Sequence, residues 1–289
     1  MKESIRRKVT GAAVVSGPFL WTLVFLFVPY MVMFTYSFYL KKFPTFVPAF
    51  EFVNYLTIIS DPQYYQVLLR TAKIAICVAV SAFLIGYPLT YFLVFKVKSD
   101  KLRSVLYMAV IVPLWVSYLL RAYTWKTILG TQGILNSFLV SVGILAEPSP
   151  VFLYNQAAMV MTLTYVFIPF MVMPIYAALE KIPPSLIEAS ADLGEGRFAT
   201  FLKITLPLSV TGVVAGFTMT FCLAFGDFIA PFLVGGPDGL MIANVIASQF
   251  GAALNWPLGS ALALVMLVMV LGIISLSDRF ERLGQGKLS

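Results

Sequence analysis

No histidine occurs among the 289 residues, and only two cysteines do, Cys77 and Cys222. Imidazole is the commonest general base and the commonest metal ligand, so hydrolase and metalloenzyme readings start without their usual groups. The cysteines form no CxxC pair and no disulfide framework. Set in apolar runs, they read as small buried packing residues. Charge is also scarce: 11% of residues are charged against 60% hydrophobic, and the mean hydropathy is +0.91. A soluble domain of this length has no interior for so much apolar surface, whereas a bilayer solvates it. The formal charge of +7 looks like a nucleic-acid signature until the charges are placed. They fall at membrane edges, and no nucleic-acid partner is expected.

Further absences narrow the function. No GxxxxGK[ST] phosphate-binding loop is present. The tail Gly284-Gln285-Gly286-Lys287-Leu288-Ser289 fails in spacing and has no following helix. No Asp or Glu falls mid-way along an apolar stretch, which removes the usual coupling-ion sites of proton- or sodium-driven carriers. With no convincing internal repeat either, a self-sufficient secondary carrier is the weaker alternative. A membrane-embedded enzyme is weaker still, lacking paired intramembrane acids and a Gly-x-Ser-x-Gly elbow. No catalytic residue and no metal site is expected in this chain.

What is present is six apolar stretches of about 20 residues or more, enough to cross a bilayer. They lie near Val14–Tyr36, Ile74–Phe95, Ser104–Tyr123, Phe152–Leu179, Leu208–Ala230 and Leu258–Ser277. The first follows Lys2, Arg6, Arg7 and Lys8, but it is too long for a signal-peptide core and no small-x-small site follows, so it reads as a retained helix. Fourteen Lys and Arg fall on one side of the alternating loops: Lys2, Arg6, Arg7, Lys8, Lys96, Lys98, Lys101, Arg103, Lys181, Arg197, Lys203, Arg279, Arg282 and Lys287. Six fall on the other: Lys41, Lys42, Arg70, Lys73, Arg121 and Lys126. Positive charge is retained inside, so both termini and the loop around Glu188 face the cytoplasm.

The outer segments are Phe43–Tyr65, Thr131–Pro150 and Gly235–Pro257, the last with an apolar Leu240–Leu254 that reads as a surface or re-entrant helix. Pro29, Pro88, Pro113, Pro169 and Pro174 lie inside spans and allow kinks. Trp21, Trp115, Trp125 and Trp256 fit an aromatic belt. Tyr118, Tyr123 and Tyr165 either belong to that belt or line a route for cations, which aromatic faces bind. Gly212 and Gly216 form a GxxxG that allows close backbone approach, within the chain or against another.

One cytoplasmic loop is built as a part in its own right. Pro183 and Pro184 end what precedes it, and Ser185 with Glu188 fits a capping box. Leu186, Ala189, Ser190 and Leu193 share a face at helical spacing, and Gly194 sits where a left-handed cap is wanted. A further amphipathic turn through Phe198, Phe201 and Leu202 leads to Pro207. A stiff short helix of this kind fits a groove on a partner and can push the spans on either side.

Glu188-Ala189-Ser190-Ala191-Asp192-Leu193-Gly194, followed after nine residues by Ile204-Thr205-Leu206-Pro207, resembles the cytoplasmic coupling loop of permease subunits of bacterial binding-protein-dependent ABC importers. The family form has Ala at the third position, where this chain has Ser190. The resemblance extends over the whole chain and implies an all-α membrane protein of six spans, the type I importer permease architecture, in one domain of residues 1–289 with its coupling loop at about 180–207. It implies that Glu188, Ala189, Ser190, Asp192, Leu193 and Gly194 dock a separate ATPase, supported by Ser185, Ile204 and Pro207. The implied partners are an ATPase dimer that binds ATP and Mg²⁺, a second permease (a different chain), an extracytoplasmic binding protein and the bilayer of a bacterial inner membrane. Phe225-Gly226-Asp227-Phe228 with Pro231 and Gly235-Gly236-Pro237 resembles permeases of the polyamine branch. Asp227 either attracts a cationic substrate there or caps the chain at the membrane edge. Spermidine or putrescine is the expected cargo, with opine, iron(III) and sulfate permeases as neighbouring branches.

Overall fold

The computed structural model describes residues 16–42 and 45–286, with side chains up to Arg279. Lys2, Arg6, Arg7, Lys8, Val14, Phe43, Pro44 and Lys287, and the side chain of Arg282, lie outside the described residues. Helix α1 (Ser16–Ser37) leads into an antiparallel hairpin, β1 (Tyr39–Lys42) and β2 (Thr45–Pro48), with Tyr39 opposite Pro48 and Lys42 opposite Thr45. Next come α2 (Val53–Ser60), α3 (Pro62–Phe95), α4 (Asp100–Ile111), a 3₁₀ turn at Val112–Trp115, α5 (Tyr118–Leu129) and α6 (Ile134–Ser141). The chain closes with α7 (Gln156–Leu179), α8 (Pro184–Asp192), α9 (Arg197–Phe225), α10 (Ile242–Phe250) and α11 (Trp256–Gly286).

Five helices are long and apolar enough to cross a membrane, and six spans result if the bent pair Asp100–Trp115 and Tyr118–Ser141 counts as one. That pair stands where a third span was expected over Ser104–Tyr123 with a kink allowed at Pro113, and the chain turns by 96° at its break. Pro113 offers no N–H to the ladder, and the α-helix tightens to the 3₁₀ turn around it; the bend itself falls at Val116 and Ser117, whose ψ angles of 138° and 133° leave the helical region. Other boundaries move as well. The second span begins at Pro62 rather than Ile74, and its 34 residues make a helix about 51 Å long, more than a bilayer core requires. The fifth runs Arg197–Phe225, not Leu208–Ala230, so Asp227 lies beyond its end. The expected outer helix forms as α10. The hairpin was not legible, because its four-residue strands are too short to set an alternation.

Packing groups the chain into two compact units, Met1–Tyr65 with Val245–Leu267, and Gln66–Asn244 with Val268–Ser289. In the first unit Asn54 Nδ2 donates to the carbonyls of Ser37 (2.8 Å) and Tyr39 (2.9 Å), and Lys41 Nζ donates to Ala253 O at 2.6 Å. Aromatic rings of Tyr36, Phe46 and Trp256 close around these bonds. Helix α1 is apolar on every side and exposed along most of its length, as a helix facing lipid or a partner would be.

The second unit is built on α7, the most buried of the candidate spans. Helix α9 lies against it because Gly212 and Gly216 let the backbones approach. A Cβ on Gly212 would stand 2.5 Å from both Ala178 Cβ and Pro174 O, and one on Gly216 would stand 2.9 Å from Met171 O. The GxxxG is therefore used inside the chain. Towards the cytoplasm, Ala82 and Tyr87 of α3 meet Met171, Ile175 and Leu179 of α7, and the Tyr87 hydroxyl shares a 2.8 Å hydrogen bond with Ser209 of α9. The cysteines correct their expectation: Cys222 is half-buried but Cys77 is exposed, and both are free.

Candidate functional site

The cytoplasmic loop begins at Pro184, the first residue of α8, where a fixed φ suits the helix and the missing N–H is no loss. Because Pro183 takes the N-cap position and makes no side-chain bond, the capping box expected of Ser185 and Glu188 does not form. Both side chains are exposed instead. The far end forms as expected. Gly194 has φ +80°, its N–H donates to Ala191 O (2.9 Å), and the Glu195 N–H donates to Ser190 O (3.1 Å). Those two bonds are the Schellman pair that ends a helix in a left-handed residue.

Ser190 faces inward, which corrects its place on the docking face. It is 6% exposed and shares a 2.9 Å hydrogen bond with Thr200, itself 7% exposed. The pair ties α8 to the first turn of α9, and Lys203 Nζ to Glu195 Oε1 at 2.5 Å makes a second tie on the surface. The outer face of the loop is apolar: Leu193 is 84% exposed, Phe198 74% and Leu186 42%. Ala189 and Asp192 are exposed beside them. Glu188 is exposed, makes no ion pair among the described residues, and lines a groove of about 360 Å³ with Tyr91, Phe95, Ile187, Glu195 and Arg197.

Below the loop, Phe201 sits edge-on to Tyr87 and Tyr91, each 5.8 Å away between ring centroids. The helix widens to a π turn over Phe201–Thr205, which spans the half-buried Ile204 and accommodates Pro207 just beyond. The loop is therefore joined rigidly to α3 and α9.

At the other end of the unit, Asp227 follows the C-cap Gly226 and is 8% exposed. Its Oδ1 accepts the Ala230 N–H at 2.8 Å, capping the turn at Pro231–Gly235, and its Oδ2 accepts the Tyr118 hydroxyl. The expected pathway residues thus divide. Tyr118 and Asp227 come together, while Tyr165 contacts Trp125 at 5.6 Å and Tyr123 faces the Lys126 ammonium at 5.9 Å, both exposed. Arg121 was counted as a loop charge and is in fact 8% exposed, donating to Val166 O at 3.1 Å with its guanidinium 5.9 Å from the Tyr118 ring centroid. The signal for it was a lone arginine inside an apolar run. Among the described residues, no group of three His, Cys, Asp or Glu converges as a metal site.

Comparison with known proteins bears on what this arrangement does. Residues 13–283 match the family model described as "Binding-protein-dependent transport system inner membrane component". The chain is 34% identical over 270 residues to the spermidine/putrescine transport system permease protein PotB of Salmonella typhimurium (strain SL1344), covering 93% of each chain. It is also 34% identical over 270 residues to the inner membrane ABC transporter permease protein YdcU of Escherichia coli (strain K12), covering 88% of this chain and 84% of that one. Among solved structures, a chain of a bacterial ABC transporter that imports the acidic polysaccharide alginate superposes with a TM-score of 0.75 at 20% identity, covering 97% of each chain.

Proposed function

The chain belongs to the family of binding-protein-dependent transport system inner membrane components, and from that premise we propose that it forms the membrane pathway of an ATP-driven importer for a polyamine such as spermidine or putrescine. It is a multi-pass permease of a bacterial inner membrane. The whole chain acts as one permease domain beside a second, different permease. ATP and Mg²⁺ are bound by a separate ATPase dimer, and cargo arrives from an extracytoplasmic binding protein.

The observation that carries the coupling part of this reading is the exposed apolar face of Leu186, Leu193 and Phe198 on a loop fixed by its own cap and ties. Large apolar side chains held rigidly in water mark a protein interface. Glu188, Ala189, Asp192 and Gly194 belong to that docking surface, and Ser190, Ile204 and Pro207 support it from within. The polyamine part rests on the named relatives and on Asp227, a carboxylate near the outer end of α9 with a tyrosine beside it. An amine reaching Asp227 takes the place of the Tyr118 hydroxyl.

The test is ATP hydrolysis by the assembled complex, stimulated by loaded binding protein. Leu193→Asp places a charge on the docking face without removing any contact of this chain, and Gly194→Asp disturbs the cap. Both are expected to lower stimulated hydrolysis about tenfold or to release the ATPase. Unchanged stimulation in both would mean that the loop is not the coupling point. Uptake of labelled putrescine, challenged with sulfate, iron(III) and an opine, tests the cargo.

A further inference from the structure

Two tyrosines meet at the cytoplasmic end of the second unit. Tyr107 of α4 and Tyr176 of α7 stack with ring centroids 4.2 Å apart and planes 26° apart. One turn beyond, Glu180 Oε1 accepts the Tyr176 hydroxyl at 3.3 Å. Both rings are half-buried and the carboxylate is exposed.

Helix stability does not call for an acid at this position. Glu180 is the C-cap of α7, where unpaired carbonyls already carry partial negative charge and a cation is the favourable neighbour. Arg103, one turn from Tyr107 on α4, is ion-paired with Asp100 instead. Among the described residues neither it nor Lys181 pairs with Glu180. A carboxylate and the carbonyls of a helix end thus meet the hydroxyl edge of the stacked pair at an exposed position, and each attracts positive charge. A purely structural tyrosine pair needs the rings but not the acid.

The geometry points to a binding station for an organic ammonium ion, formed by Tyr107, Tyr176 and Glu180, that holds cargo at the cytoplasmic end of the pathway. It rests on the polyamine reading above and repeats the chemistry of the outer end. There, Phe167 of α7 stacks with Tyr118 at 6.0 Å and 8°, and Tyr118 donates to Asp227. Phe167 and Tyr176 are nine positions apart in the sequence, about 13–14 Å along α7. Helix α7 therefore touches a tyrosine–carboxylate pair at each of two levels, through Phe167 at one and with its own Tyr176 and C-cap Glu180 at the other. The inner pair is open to water, so it binds weakly enough to release.

Two probes on the complex in nanodiscs separate this station from the reading beneath it. Putrescine uptake by the same preparation tests the cargo. Methylammonium, followed by saturation-transfer NMR without binding protein or nucleotide, tests the station whatever the cargo is. Wild type is expected to bind methylammonium about threefold to fivefold more tightly than Glu180→Gln, and by a similar factor than Tyr176→Leu. Glu180→Asp and Tyr176→Phe, which keep the charge and the ring, should stay within about twofold of wild type. Equal binding by wild type, Glu180→Gln and Tyr176→Leu would overturn the station. Absence of putrescine uptake by wild type, with methylammonium binding still dependent on Glu180, would overturn the cargo reading alone.

Discussion

Gly212→Ala adds one methyl group where the structure has no room for it. The new Cβ would stand 2.5 Å from Ala178 Cβ and 2.5 Å from Pro174 O. Carbon atoms settle at about 3.5–4.0 Å, so α7 and α9 must part by roughly 1 Å at this crossing. Since a gap of 0.5–1 Å forfeits about a quarter to a half of each contact's dispersion energy, and overpacking costs about 1–3 kcal/mol, a loss in that range is expected. Gly272→Ala is the control, because nothing lies within 4 Å of its Cβ position. That change should be neutral or stabilising, by up to about 1 kcal/mol from helix propensity alone. Ala178→Gly in the Gly212→Ala background removes one of the two clashes and leaves Pro174 O in place. It should therefore recover only part of the loss, with a coupling of about 0.5–1 kcal/mol. Unfolding in mixed micelles, titrated with a denaturing detergent and followed by circular dichroism, measures all three. If Gly212→Ala unfolds at the same midpoint as Gly272→Ala, the close α7–α9 approach does not exist in the membrane.

The inward-facing Ser190 makes a prediction about the loop: Ser190→Ala and Thr200→Val each cost about 0.5–1.5 kcal/mol of local stability, and the double variant costs no more than one of them, because they share a single hydrogen bond. Amide hydrogen exchange across residues 184–200 reads this, and additive losses would refute it. Coupled ATP hydrolysis should survive Ser190→Ala, since the family form of the loop carries alanine at that position. At the outer end, Asp227→Asn keeps an oxygen to accept the Ala230 N–H and turns an amide N–H to donate to the Tyr118 oxygen, so the contacts persist with one direction reversed while the charge is lost. Stability should change by less than about 1 kcal/mol while half-saturation for amine uptake rises about tenfold, equivalent to roughly 1.4 kcal/mol of lost attraction. Unchanged uptake would make Asp227 a turn cap only.

Much of this was legible in the sequence because it rests on period, length and special residues. Hydropathy located the spans, and Gly194 marked the helix end, since a left-handed residue in an exposed loop favours glycine whatever lies around it. GxxxG announced a close crossing but not its partner, because both faces of an apolar helix read alike until α7 is in place. The capping box failed for a local reason: Pro184 settles the start of α8 one residue before Ser185, and two start signals competed. Ser190 and Arg121 failed for a tertiary one. A small polar residue on a helix faces inward only if something waits there, and Thr200, ten positions on, gives no periodic sign that it does. Likewise an arginine near a span end reads as a surface charge until the 96° bend after α4 turns α5 and brings Arg121 to Val166.

These same long-range ties decide whether the loop can transmit force. A partner pressing on Leu193 and Phe198 moves α9 only if α8 cannot yield first. The Schellman bonds fix its end, Ser190–Thr200 and Glu195–Lys203 fix it to α9, and Phe201 between Tyr87 and Tyr91 fixes that junction to α3. Beyond the π turn, Gly212 and Gly216 hold α9 against α7 too closely for independent sliding. Displacement of the loop therefore reaches α7 as a rigid-body movement. Since α7 stacks Phe167 on Tyr118 of α5 and Tyr176 on Tyr107 of α4, that movement shifts both ring contacts together. On the proposed function, a single stroke of the loop would thus reach the outer and inner ring contacts together, without a separate gate at each end.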